Sequence, residues 1–128
     1  MREIPVRTTA RRELVDITAK VTEAARAEGD GVWLLYVPHT TAGLAINEGA
    51  DPSVATDIVQ ALERAVPDDQ PWDHAEGNSP AHVMSTLVGS SVLVAIEGGE
   101  LALGTWQSIF FCEFDGPRSR RVWLRKLG

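Results

Sequence analysis

Eleven residues, Trp72-Asp73-His74-Ala75-Glu76-Gly77-Asn78-Ser79-Pro80-Ala81-His82, bring together two imidazoles, two carboxylates and a carboxamide. Such groups bind metal ions or move protons, and no other segment is as rich in them. The chain has three histidines, and the third, His39, precedes Thr40-Thr41-Ala42-Gly43 at the end of an apolar run. On one continuous helix, His74 and His82 would stand about 80° apart around the axis and about 12 Å apart along it, too far to share an ion. Pro80 breaks that helix. With His74 in a loop and His82 in the first turn after it, the two rings can approach one point, and His39 can complete a three-histidine set. Three protein ligands with an open position is the catalytic pattern for zinc. None of these spacings is diagnostic, and separate satisfied or surface histidines are the alternative.

Carboxylates at element ends offer a second chemistry, because loops deliver such groups into clefts. Glu48, Asp51, Asp73 and Glu76 lie in such places. Asp51 precedes Pro52 and reads first as a helix N-cap. Glu48 shares strand parity with Leu44 and Ile46, so it either ends an exposed strand or carries a charge inward that needs a partner. A phosphate could be held by the free amides near Asn78 to Ala81, or by Arg118 at its turn. Trp106 and Gln107 read as core or sheet-end residues before ligand contacts. Nucleophilic catalysis has little support: there is no Gly-x-Ser-x-Gly, and Cys112 sits within Ile109-Phe110-Phe111-Cys112, away from any base. No phosphate loop of the Gly-Lys-Ser/Thr type occurs.

The elements that must position these groups follow from periodicity. Arg2 to Thr9 predicts an edge strand, since Pro5 cannot donate to a ladder. Ile17, Val21, Ala24 and Ala25 recur at helical spacing, with Asp16 as cap and Gly29 as stop, predicting a helix over 17–28. Val32 to Val37 is a continuous apolar run and predicts a central strand buried on both faces. Leu44 to Glu48 predicts a strand, and Pro52 down to Pro67 an amphipathic helix. A short helix is expected from about Pro80 to Val88, ended by Gly89. Ser91 to Ile96, a turn at Gly98-Gly99, Leu101 to Leu103, Ser108 to Phe114 and Ser119 to Leu127 predict a C-terminal meander, with a bulge at Gly104. The fold class is α+β: largely antiparallel sheets, in a two-sheet or single-sheet core, covered by helices.

Composition bounds the rest. A chain of 128 residues, 44% hydrophobic and 23% charged, suits one domain, taken here as residues 1–128. The net charge of −6 argues against nucleic acid and anionic membranes as partners. The sign is uneven: Arg118, Arg120, Arg121, Arg125 and Lys126 crowd the C-terminal end. That basic strand reads either as a solvated face paired with acidic neighbours or as an anion site. A lone cysteine excludes an internal disulfide, and no apolar run reaches the roughly 18 residues that span a bilayer, so a cytoplasmic location is expected.

Several blocks in order carry a more specific signal. His39-Thr40-Thr41-Ala42, Ile46-Asn47-Glu48 with Ala50-Asp51-Pro52, Asn78-Ser79-Pro80-Ala81-His82 with His74 upstream, Leu103-Gly104-Thr105-Trp106-Gln107 and Asp115-Gly116-Pro117-Arg118 together resemble the YjbQ family. That family is also labelled the UPF0047 or secondary thiamine-phosphate synthase family. The resemblance implies a compact β-sandwich-like α+β domain flanked by helices, assembled as a homotrimer, with a divalent metal, zinc or magnesium-like, near its histidines. His39, His74 and His82 take the ligand positions by this resemblance. Glu48, with Asp51 nearby, is the expected general base or a partner of the ligands. Arg118 is the anion contact, and Thr40, Thr41, Asn78 and Gln107 are the substrate contacts. The implied reaction joins a pyrimidine diphosphate to a thiazole phosphate with loss of pyrophosphate, as a main or a side activity. A non-catalytic trimeric binding or scaffold protein is the alternative.

Overall fold

Alternating apolar residues give more of the chain to strands than to helices. The computed structural model describes residues 1–128 as β1 (Arg2–Arg7), β2 (Glu13–Asp16), α1 (Thr18–Arg26), β3 (Gly31–Tyr36), β4 (Ala42–Glu48), α2 (Pro52–Ala65), α3 (Ser79–Val88), β5 (Ser91–Glu97), β6 (Glu100–Leu101), β7 (Gln107–Glu113) and β8 (Ser119–Lys126). Two antiparallel sheets result, a five-stranded one in the order β1-β8-β3-β5-β6 and a three-stranded one in the order β2-β7-β4. The fold class is α+β in a single sandwich-like domain, as expected.

The larger core lies between the sheets. It joins Ile4 and Val6 of β1, Trp33 and Leu35 of β3, Leu44 of β4, Ile109 and Phe111 of β7, and Val122 and Leu124 of β8. Helix α1 completes that core with Val21 and Ala25, both fully buried. A second cluster, including Ala81, Met84, Phe110, Cys112 and Phe114, lies on the other side of β7 under α3. Burial at such positions removes apolar surface from water, worth about 1.5–3 kcal/mol for each large side chain.

Several expectations change. The strand buried on both faces is β7, not β3: on β3, Trp33 and Leu35 are buried while Val32 and Tyr36 are each 41% exposed. The run Val32 to Val37 looks doubly buried because its outward residues are also apolar. The C-terminal strands form no meander, since β7 leaves the sheet of β5 and β6 and β8 returns to it. Gly104 makes a turn and not a bulge, with Gln107 N donating to Gly104 O at 3.0 Å. Strand β2 was unforeseen; four residues are too few for alternation to register. Helix α2 starts as expected, with Asp51 accepting from Ser53 N at 3.0 Å. No helix is long and apolar enough to cross a membrane.

Candidate functional site

Strand ends and a helix start meet at one end of the sandwich. The chain leaving β3, the turn before β4, the start of β8 and the first turn of α3 enclose a cleft of about 1080 Å³ whose lining includes His39, Thr40, Thr41, Asn78, His82 and Arg118. Six of the residues proposed from sequence therefore share one cavity. A polar cavity of this kind, with few apolar walls, suits a charged ligand.

Its floor is a buried ion pair that sequence reasoning missed. Glu113 on β7 is fully buried and Arg120 on β8 is 6% exposed, so the pair joins the two sheets. Arg120 Nε donates to Glu113 Oε1 at 2.9 Å, and its Nη2 donates to Glu113 Oε2 and to Thr41 Oγ1, the latter at 2.8 Å. Thr8 Oγ1 donates to Glu113 Oε1 at 2.7 Å, and Asp115 N donates to Oε2 at 3.0 Å. Burial opposes ionisation of Glu113, yet the bonds from Arg120, Thr8 and Asp115 N together hold its carboxyl below the usual range. Nε and Nη2 of Arg120 are thus engaged, and the guanidinium lines the cleft. The available signal was a charge inside the apolar run Ile109 to Phe114, seven residues before an arginine of inward parity.

The rim is similarly fixed. Asp115 Oδ2 accepts from Asn78 Nδ2 at 2.9 Å and from Arg118 Nη2 at 3.1 Å, and Arg118 Nε donates to Asp115 O at 2.9 Å. Asn78 therefore ties the start of α3 to the Arg118 turn instead of capping the helix. The basic strand proves to be paired with acidic neighbours at Arg118, Arg120 and Arg121, the last to Glu3 at 3.3 Å, and it also supplies two cations to the cleft.

The histidines divide. His74 and His82 stand edge to face with ring centroids 5.3 Å apart, and His74 Nε2 lies 3.7 Å from Glu76 Oε2. His39 shares the cleft with His82, but its Nε2 accepts the Arg121 N–H at 3.1 Å. Burial, then the positive charges of Arg120 and Arg121, push its imidazole below the ordinary value. No group of three or more His, Cys, Asp or Glu side chains is arranged to hold a metal ion. The expected three-histidine shell does not assemble within one chain: His74 and His82 pair with each other, and the Nε2 lone pair of His39 is taken by Arg121 N. Glu48 and Gln107 also lie elsewhere: they face each other across β4 and β7, six residues from the Ala42↔Glu113 pair at the cleft, or roughly 20 Å along the strands.

The sequence profile described as "UPF0047 protein YjbQ-like" matches residues 2–128. The chain belongs to the YjbQ-like UPF0047 family. It is 49% identical over 125 residues to the UPF0047 protein MJ1081 of Methanocaldococcus jannaschii, covering 96% of this chain and 91% of the relative. It is 44% identical to the UPF0047 protein YugU of Bacillus subtilis, covering 100% of this chain and 99% of that one. Among solved structures, an uncharacterized conserved YjbQ/UPF0047 protein from Clostridium acetobutylicum superposes with a TM-score of 0.95 at 44% identity, covering 99% of this chain and 100% of the other. The conserved hypothetical protein TT1486 of Thermus thermophilus gives a TM-score of 0.93 at 47% identity, with the same coverage.

Proposed function

We propose that the cleft binds a small phosphorylated metabolite and assists departure of its phosphate or diphosphate as a leaving group, in a cytoplasmic, homotrimeric enzyme. The observation that carries this reading is that Arg118 and Arg120 line the same cavity as His39, an imidazole kept neutral by burial and adjacent cations. In both guanidinium groups Nε and Nη2 are engaged by protein, which leaves the Nη1 donors and the positive charge for a phosphate oxygen, and the start of α3 adds the positive end of a helix dipole. A neutral His39, whose Nε2 lone pair takes the Arg121 N–H, carries its proton on Nδ1 as a hydrogen-bond donor for a ligand oxygen, and His82 in the same cleft supplies the imidazole for acid–base work. Leaving-group neutralisation is what a thiamine-phosphate synthase-like reaction requires when a pyrimidine diphosphate loses pyrophosphate, and the cationic Arg118 in the cleft lining supports that role. A divalent metal belongs to this reading through the His74–His82 pair alone. Two imidazoles are fewer than the three ligands of a catalytic zinc site, so no step is assigned to it.

Titration calorimetry with inorganic pyrophosphate tests the reading. Binding is expected, and Arg118→Ala should weaken it about tenfold, equivalent to about 1.4 kcal/mol. Incubation with the pyrimidine diphosphate and thiazole phosphate should release pyrophosphate. Absence of binding to either phosphate compound would sink the proposal. The outer face of the five-stranded sheet carries Val32, Tyr36 and Leu93, the last 61% exposed, an apolar surface that supports the assembly part of this reading.

A further inference from the structure

Tyr36 and Trp123 also line the cleft, and the chemistry described above makes no use of them. They belong to one row of paired residues across the five-stranded sheet: Glu3 on β1, Trp123 on β8, Tyr36 on β3 and Ser91 on β5. Each lies next to a residue that packs into the core, namely Ile4, Val122, Leu35 and Val92, so all four point to the outer face of the sheet. Three members of the row are packed against one another. Trp123 Nε1 donates to Glu3 Oε1 at 3.0 Å, Arg121 lies 5.9 Å over the Trp123 ring, and Trp123 stacks on Tyr36 with ring centroids 5.9 Å apart and planes 20° apart. The series stops at Ser91.

Neighbouring strands lie about 4.8 Å apart and stacked rings about 4.5–7 Å between centroids, so each place in such a row can hold one ring. At Ser91, which is exposed, a single hydroxymethyl group stands where a ring would fit. The β5 side of Tyr36 is thus left to solvent, in keeping with the 41% exposure of that residue. The chain beside the gap is equally small. Gly89 and Ser90 line the cleft next to Tyr36, Val37 N donates to Ser90 O at 2.8 Å, and a Cβ at Gly89 would meet nothing within 4 Å. Leu93, the next residue of β5 on that face, supplies an apolar border. The result is a slot one ring thick, opening from the cleft, whose aromatic wall is held from behind by Trp123.

We infer that the slot between Tyr36 and Ser91 is a ring-binding subsite, which takes a planar heteroaromatic ring of a ligand whose phosphate or diphosphate lies in the cleft. The inference rests on the reading of the cleft as a phosphate site, and it makes Tyr36 the residue that selects ligands carrying a flat ring. His39 follows Tyr36 by three residues and Arg120 precedes Trp123 by three, so no more than roughly 10 Å of chain separates the ring wall from the polar groups. A sugar or a short linker between ring and phosphate spans that distance. Stacking of a base on an aromatic side chain changes affinity by about tenfold or more and accepts any ring with a π-face. Val32 lies four residues further along β3, about 13 Å from the row, so assembly through that part of the sheet leaves the slot open.

Calorimetry with ADP, adenosine and inorganic pyrophosphate tests the slot, because the three probes carry ring and phosphate, ring alone and phosphate alone. Ser91→Trp fills the slot from an exposed strand position, and Tyr36→Leu removes its wall. Each should weaken ADP binding about tenfold and leave pyrophosphate binding within about twofold. Tyr36→Phe keeps the ring and should keep the ADP affinity of the unaltered protein. Melting temperatures measured alongside show that the variants are folded, and Ser91→Trp serves alone if Tyr36→Leu is not. An ADP affinity that Ser91→Trp does not lower, or lowers no more than the pyrophosphate affinity, overturns the inference and leaves the phosphate reading standing. Adenosine binding that Ser91→Trp abolishes, together with no pyrophosphate binding by the unaltered protein, upholds the ring subsite and overturns the phosphate reading. No binding of any of the three probes overturns both.

Discussion

Arg120 and Glu113 meet across the space between the two sheets, each enclosed by protein, directly beneath the cleft. The carboxylate takes donors from Arg120, Thr8 and Asp115 N, so one interaction holds the start of β8, the end of β7 and the loop after β1. Such a pair costs desolvation to form but leaves an uncompensated charge when one member is removed.

Arg120→Met should therefore destabilise the protein by about 3–5 kcal/mol, whereas replacing both members with apolar residues should cost much less. Chemical denaturation of the two variants checks this. The folded carboxyl lies below its unfolded value of about 4.3, so the folded state binds fewer protons in that range. Its contribution is present above about pH 4.3 and is lost as pH falls through the folded value. Glu113→Gln should flatten the acid limb of the stability profile.

His39 gives the second pH dependence. Its folded value lies below the ordinary 6.5, so the unfolded chain takes up the proton first as pH falls. Stability from keeping the ring neutral is present above about pH 6.5 and declines as pH falls toward the folded value. A two-dimensional NMR titration should place the His39 midpoint below 6.5. A midpoint at or above 6.5 would contradict the environment described for this ring.

Gly116 tests the packing under the site. A Cβ there would meet Ala10 O at 2.4 Å, Glu113 Cγ at 2.8 Å and Thr8 Oγ1 at 2.9 Å. Two of these neighbours are part of the buried network, which has no free volume to yield. Gly116→Ala should cost about 1–3 kcal/mol as overpacking and weaken ligand binding by displacing Asp115 and Arg118. A variant with unchanged melting temperature would show that the turn relaxes freely.

Much of the candidate site was legible in the chain. His39, His82 and Arg118 could be picked out because polar residues clustered at the ends of apolar segments, where loops form clefts, while Thr40, Thr41 and Asn78 were expected as contacts from the family resemblance. The Glu113–Arg120 pair was harder to see, since a lone charge in a strand reads as solvated unless its facing partner is known. Periodicity likewise predicted three helices and most strands near their observed bounds, while β2 was too short to recognise.

Local order, then, is what the sequence determined by itself: Asp51-Pro52 starts a helix, Gly98-Gly99 turns a hairpin, and alternation sets which side chains point together. Those outcomes depend on neighbours a few residues away. Which strands share a sheet, and hence which face stays bare, was decided only by tertiary structure. The split of β7 from β5 and β6 carries Gln107 and Glu48 to the far end of the sandwich, and Arg121 of β8 takes the Nε2 of His39. Long-range pairing governs both facts, and periodicity along one strand carries no record of its partner.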